Sequence, residues 1–123
     1  MKFNIKTTGL SLREDLEDYV NKRIESLEKF SKKFGSSVEF WVELAKTTGH
    51  HKEGSVYRAE ISVRVPGKVL RAEAQEKDIY RAIDEARDDI ERQLKERRGK
   101  LFSRFKRGAR LLKEILRFGR FKK

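Results

Sequence analysis

The chain has 123 residues, 41% charged and 37% hydrophobic, with one proline, no cysteine and a formal net charge of +11. Its length suits one domain of roughly 100 residues with a short appendage, and the missing cysteine excludes a disulfide framework, a thiolate nucleophile and a cysteine metal site. Uninterrupted apolar runs stop at two or three residues and the start, Met1-Lys2-Phe3-Asn4-Ile5-Lys6, lacks a signal-peptide stretch, so a soluble, cytoplasmic protein is expected.

Lys2 to Lys6 alternates, with Phe3 and Ile5 on one side, and predicts a short strand. Ser11 and Glu14 have capping-box spacing, which predicts a helix from there to about Lys33. Leu12, Leu16, Tyr19, Val20, Ile24, Leu27 and Phe30 would form its apolar side, and Gly35 would end it. Val38, Phe40, Val42 and Leu44 alternate with Glu39, Trp41 and Glu43; Tyr57, Ala59, Ile61, Val63 and Val65 alternate with Arg58, Glu60, Ser62 and Arg64. These read as two strands joined by a polar loop over 46–54. Pro66-Gly67 turns the chain into a fourth strand, Lys68–Gln75. Asp78 then caps a second helix that buries Ile79, Ile83, Ala86, Ile90 and Leu94.

The predicted order is β-α-β-β-β-α, an α+β fold with a four-stranded sheet and two helices on one face. A right-handed crossover makes the first two strands parallel, and the other strands form an antiparallel meander. Both helices then run antiparallel to the first strand and parallel to each other. Each is acidic early and basic late: Glu14, Asp15, Glu17 and Asp18 precede Lys22, Arg23, Lys29, Lys32 and Lys33, while Asp84, Glu85, Asp88 and Asp89 precede Arg92, Lys95, Arg97 and Arg98. Parallel helices bring both basic ends together, beyond what complementing the helix dipoles requires. The other sheet face would carry Lys2, Asn4, Lys6, Glu39, Trp41, Glu43, Arg58, Glu60, Arg64, Arg71 and Glu73. That near-neutral mixture has one aromatic, so Trp41 is expected to cover the sheet and the helical side to meet the partner.

Residues 99–123 hold ten basic side chains against Glu114, a net +9, and leave +2 for residues 1–98. The chain thus divides into a balanced body, 1–98, and a basic tail, 99–123, whose surplus favours polyanionic partners. In the tail, Leu101, Phe105, Ala109, Leu112, Ile115 and Leu116 fall on one side of a helix. Arg104, Arg107, Arg110, Lys113, Arg117 and Arg120 favour the other. Three readings are open: a segment disordered alone that folds along RNA, an amphipathic helix packed on the body or another copy, or a helix on an anionic membrane. RNA is the expected partner and membrane contact the least expected.

No enzyme is expected. His50-His51 is the only histidine pair, adjacent on a predicted loop without a third ligand, and the carboxylates intersperse with bases as solvated surface pairs do. There is no Walker loop, nucleophile elbow or dinucleotide turn, so neither a cofactor nor a metal is called for.

Asp78-Ile79-Tyr80-Arg81-Ala82-Ile83-Asp84, followed by Ile90-Glu91-Arg92-Gln93-Leu94-Lys95, resembles the second helix of the ribosome hibernation-promoting factor and ribosome-associated inhibitor family. Leu27-Glu28-Lys29-Phe30, Val65-Pro66-Gly67 and Arg71-Ala72-Glu73-Ala74 fit the same pattern, so the resemblance covers residues 1–98. It implies a fold similar to double-stranded-RNA-binding domains, and binding to the small ribosomal subunit and its RNA, in the channel of messenger and transfer RNA; a monomer is expected. It further implies reversible silencing of idle ribosomes under stress. The implied RNA contacts are Arg23, Lys29, Arg92 and Lys95. Charge and spacing add Lys22, Lys32, Lys33, Arg97 and Arg98, and the tail adds Arg104, Arg107 and Arg110. Asp78, Tyr80 and Asp84 also match the family and read as a cap, a partly buried ring and a polar partner. Asp89 departs from the lysine that members often carry there, and the 25 tail residues are too few for the additional domain of long members. The alternative is a general RNA-binding or RNA-chaperone module without ribosome specificity.

Overall fold

β1 (Lys2–Thr8) turns Phe3 and Ile5 toward the core and Asn4 and Lys6 toward solvent, as its two-residue period requires. The structure, a computed structural model, describes residues 2–35, 38–48 and 55–121, with side chains over 3–32, 34–35, 38–47 and 56–116. β1 pairs in parallel with β2 (Glu39–Thr48); β3 (Ser55–Val65) and β4 (Lys68–Glu76) continue an antiparallel meander in the order β1-β2-β3-β4. The register sets Phe3 beside Phe40, Phe40 opposite Val63 and Val63 opposite Leu70, which makes one face of the sheet apolar from edge to edge.

The helices cover that face: α1 (Glu14–Glu25), the single turn α2 (Glu28–Ser31) leading into a 3-10 turn at Lys32–Phe34, and α3 (Ile79–Phe121). Leu16, Val20, Ile24 and Leu27 from the first helical arm, and Ile79, Ile83, Ala86, Ile90 and Leu94 from α3, close over Phe40, Val42, Leu44, Ile61 and Val63. The element order and the single helical layer are those expected from periodicity.

Four local features differ from expectation. Ser11 and Glu14 form no capping box: the N-cap is Arg13, which makes no side-chain cap bond, and Glu14 is already the first helical residue. Leu10 and Leu12 pack against the core just before it, which accounts for the later start. The first helix is also not continuous to Lys33. The Ser26 hydroxyl donates to the Arg23 carbonyl at 2.6 Å and the Leu27 amide bonds back to Ile24, so the ladder tightens there and α1 ends.

β2 and β3 extend until Thr48 faces Ser55, shortening the connection expected over 46–54; His50 and His51 lie outside the described residues. Finally, the compositional seam at Arg98-Gly99 leaves no break, because α3 is one helix of 43 residues, about 64 Å long.

Glycine is required at two joints. Gly67 (φ 76°) turns β3 into β4 after Pro66. At Gly9 (φ 73°) a Cβ would lie 2.7 Å from the Lys46 carbonyl oxygen.

Phe40 is the largest of the fully buried side chains, so Phe40→Ala should lower the unfolding free energy by about 3–5 kcal/mol. Urea unfolding followed by the fluorescence of Trp41, the sole tryptophan, reads this directly. A loss below about 1 kcal/mol would mean that Phe40 is not central to the core.

Candidate nucleic-acid interface

Cross-helix contacts advance along both helices together. The Tyr80 hydroxyl reaches Asp15 at 3.4 Å, the Tyr19 hydroxyl donates to Asp84 at 2.7 Å, and Arg87 Nε donates to Ser26 Oγ at 2.9 Å. Lys95 Nζ then lies 5.0 Å from the Phe30 ring centroid. Residues 15, 19, 26 and 30 therefore meet 80, 84, 87 and 95 in order, and the helices are parallel. Their acidic starts share one end of the body and their basic finishes the other.

At the basic end, Lys29 and Lys95 each place an ammonium 5.0 Å from the Phe30 ring, so one aromatic links cations from two helices. Lys29 and Lys32 are exposed and Arg98 half-buried there, and Lys22 is exposed nearer the middle of the first helical arm; none of the four pairs with an acid among the described residues. Arg92 is held by Asp89 and by Glu96 at 3.0 Å, and Lys95 lies 3.4 Å from Glu91. These pairs lie at the surface, where water screens them, so a phosphate can displace them at little cost.

Two of the expected positions are occupied differently. Arg23 stands nearer the middle of the helix pair, its Nε 2.9 Å from Asp84 and its guanidinium donating to the Tyr19 hydroxyl at 3.0 Å. Arg97 donates to the Pro66 carbonyl at 3.2 Å and has a buried Nε with no hydrogen-bond partner among the described residues, so it braces the β3–β4 turn. Arg104, Arg107 and Arg110 are exposed on α3 beyond the sheet. The side chains of Lys33, Arg117 and Arg120 lie outside the described residues. Asp78 caps α3 by accepting from the Tyr80 amide at 3.0 Å, and Asp84 is the partner of Tyr19 and Arg23.

Charge counting did not find Arg87, whose guanidinium is largely covered and joins Ser26 on one helix to Asp88 and Glu91 on the other. Its four-residue spacing to Glu91 was the available signal. Tyr19 and Tyr80 meet edge to face at 4.8 Å, so an aromatic pair, followed by the Arg23–Asp84 ion pair nearer the middle, joins the two helices. Burial, and next the hydrogen bond to Asp84, raise the Tyr19 hydroxyl above its ordinary pKa; hydrogen bonding to Tyr19 raises Arg23, so both keep their protons.

The opposite sheet face is neutralised from within. Glu43, Glu60 and Glu73 stand in one cross-strand row, and the Arg58 guanidinium reaches all three, at 4.0, 2.8 and 2.8 Å. The hydrogen bond from Arg58 holds the Glu73 carboxyl below the usual range. Arg64 pairs with Glu39 at 2.5 Å while lying 5.7 Å from the Trp41 ring centroid. Trp41 is thus half-buried beside neighbouring side chains on a face with little free charge. Among the described residues, no group of three or more histidine and acidic side chains is placed to hold a metal ion.

Two measurements test the brace. Asp84→Asn removes the charge that Arg23 and Tyr19 share and should cost about 1–2 kcal/mol, read as a lower urea midpoint; an unchanged midpoint would mean the cluster is ornamental. Burial alone would raise the Glu91 carboxyl, but Arg87 and then Lys95 hold it below its ordinary value. The stability it contributes is present above the unfolded pKa of about 4.3 and is lost as pH falls through the lower folded value. Glu91→Gln should therefore flatten the decline of stability below about pH 4.3; an acid limb as steep as that of the parent would contradict the assignment.

A family model described as "Sigma 54 modulation protein / S30EA ribosomal protein" matches residues 3–101. The Ribosome hibernation promotion factor of Picosynechococcus is 30% identical over 107 residues, covering 85% of this chain and 52% of the relative; that of Bacillus subtilis is 29% identical over 106 residues, covering 86% and 53%. The chain therefore spans about half the length of these two relatives. The Ribosome hibernation promoting factor of Pseudomonas putida is 27% identical over 100 residues, covering 81% of this chain and 89% of its own. Among solved structures, the Thermus thermophilus Protein Y N-terminal domain superposes with a TM-score of 0.62 at 30% identity, covering 78% of this chain and 98% of that domain. The helix pair and four-stranded sheet, matched from residue 3 through residue 101, place this chain in the Sigma 54 modulation protein / S30EA ribosomal protein family.

Proposed function

We propose that the protein is a ribosome hibernation factor that binds the small ribosomal subunit through ribosomal RNA and reversibly blocks translation. The observation that carries this reading is the meeting of two helical basic ends at one end of the body, with Lys29 and Lys95 on the shared Phe30 ring. The names of the relatives from Picosynechococcus, Bacillus subtilis and Pseudomonas putida support it.

The mechanism needs no bond chemistry. Lys22, Lys29, Lys32 and Arg98 meet phosphates directly, and Arg92 and Lys95 exchange exposed carboxylate partners for phosphate. Arg104, Arg107 and Arg110 continue the track along α3, and Lys33 belongs to the same segment. Arg23 and Arg97 act chiefly by holding the helices and the β3–β4 turn in place. Each contact releases counterions from RNA, and affinity follows salt accordingly. The rigid body then occupies the channel of messenger and transfer RNA, and the ribosome supplies specificity by shape, since few base edges need be read.

Sedimentation of the full chain with purified small subunits across a salt series tests this. With about six to nine phosphates engaged, the logarithm of affinity should fall with log salt at a slope of about −5 to −8. Lys22→Glu, Lys29→Glu, Lys32→Glu and Arg98→Glu together should reduce the magnitude of that slope by about 3–4 and weaken binding at least tenfold, with unfolding still cooperative. Saturation near one protein per subunit is expected; equal, unsaturable binding to any RNA would instead mark a general RNA-binding module. Unchanged binding by the quadruple variant would remove the helical end as the contact.

A further inference from the structure

The face that α3 lays on the sheet does not end where the sheet ends. Ile79, Ile83, Ile90 and Leu94 are buried beneath the helix, Leu101 is the last side chain packed against the core, and the apolar stripe then runs on without a partner. At 100° per residue, Leu101, Phe105, Leu112, Ile115 and Leu116 fall within an arc of about 100°. Phe105, Leu112, Ile115 and Leu116 are between 58% and 73% exposed. The same segment, 102–116, carries Arg104, Lys106, Arg107, Arg110 and Lys113 against the single acid Glu114. Arg104 and Lys113 border the stripe on its two sides, while Lys106, Arg107 and Arg110 lie on the far side.

We propose that the extension of α3 beyond Leu101 is an interfacial helix that lays this stripe on an anionic lipid surface. Two demands must be met at once: apolar side chains need an apolar medium, and their flanking cations need anions at its edge. RNA satisfies the cations but offers the stripe a mostly polar surface. A second copy covers the stripe but brings two strongly basic flanks together. A bilayer rich in acidic phospholipid supplies acyl chains beneath Phe105, Leu112, Ile115 and Leu116, and phosphates level with Arg104 and Lys113. The helix lies on the membrane and does not span it, since none of the described helices is long and apolar enough to cross one. About 30 Å of helix projects past Leu101, so it reaches a surface without unfolding the body. Contact also stabilises a segment that has no packing of its own and contains Gly108.

Vesicle flotation of the full chain decides the matter, using vesicles of equal parts phosphatidylglycerol and phosphatidylcholine, and vesicles of phosphatidylcholine alone. Binding to the anionic vesicles should exceed binding to the neutral ones at least tenfold. Phe105→Gln, Leu112→Gln and Leu116→Gln together should weaken anionic-vesicle binding about a hundredfold, while co-sedimentation with small subunits stays as in the parent. The replaced side chains are exposed, so the body remains folded. Four results would overturn the proposal: no flotation of the parent, undiminished flotation of the triple variant, loss of subunit binding by that variant, or a lipid-free dimer that the triple variant abolishes. The last two would assign the stripe to the ribosome or to a second copy. None of them touches the quadruple variant at the helix ends, so this proposal and the ribosome-binding reading fail separately.

Discussion

Parallel pairing of β1 with β2 sets the direction of everything above the sheet. Two parallel neighbours cannot be joined by a tight turn, so the chain must cross the sheet, and its first helical arm runs antiparallel to both. The antiparallel meander β2-β3-β4 then brings the chain back to the end from which α1 started, and α3 leaves in the direction of α1. With these strand directions and both helices packed back across one face, the helices run parallel. Here each helix also carries its acids first and its bases last, which turns a topological necessity into an electrostatic one.

The resulting dipolar body needs reinforcement, because like charges are gathered at each end. Reinforcement comes from between the helices: Tyr19 against Tyr80, Tyr19 and Arg23 on Asp84, and Arg87 on Ser26, Asp88 and Glu91. Fixing these contacts spends some cations on structure, Arg23 and Arg87 above all. The cations left for a partner cluster nearer the finish of the helices and continue along α3. The open sheet face follows the opposite policy, since Arg58 gathers Glu43, Glu60 and Glu73 into one site and leaves little net field. A charge distribution of this kind would steer a polyanion to one end of the molecule.

Much of this was legible in the chain itself because two periods dominate it. The two-residue alternation of Phe40, Val42 and Leu44 and the helical spacing of Ile79, Ile83, Ile90 and Leu94 fix the elements, and strand order fixes helix direction. What escaped depended on competition that a linear pattern does not weigh. Ser26 and Leu27 look helical by spacing, yet the Ser26 hydroxyl takes the Arg23 carbonyl and breaks the helix. Ser11 and Glu14 have capping spacing, yet Leu10 and Leu12 pack on the core ahead of a later start. The basic residues were visible one by one, but which of them brace the fold depends on partners 61 positions away along the chain, Asp84 for Arg23 and Ser26 for Arg87. Gly99, read as a seam, carries α3 through without interruption.

The central claim is that cations from two parallel helices form one phosphate-binding end. Lysine acylation footprinting of the protein bound to small subunits, read by mass spectrometry, tests it most directly. The account predicts that Lys22, Lys29, Lys32 and Lys95 are shielded together on binding, while Lys6 and Lys68, on strands of the sheet, stay as reactive as in the free protein. Shielding of Lys6 and Lys68 with the helical lysines left reactive would contradict it.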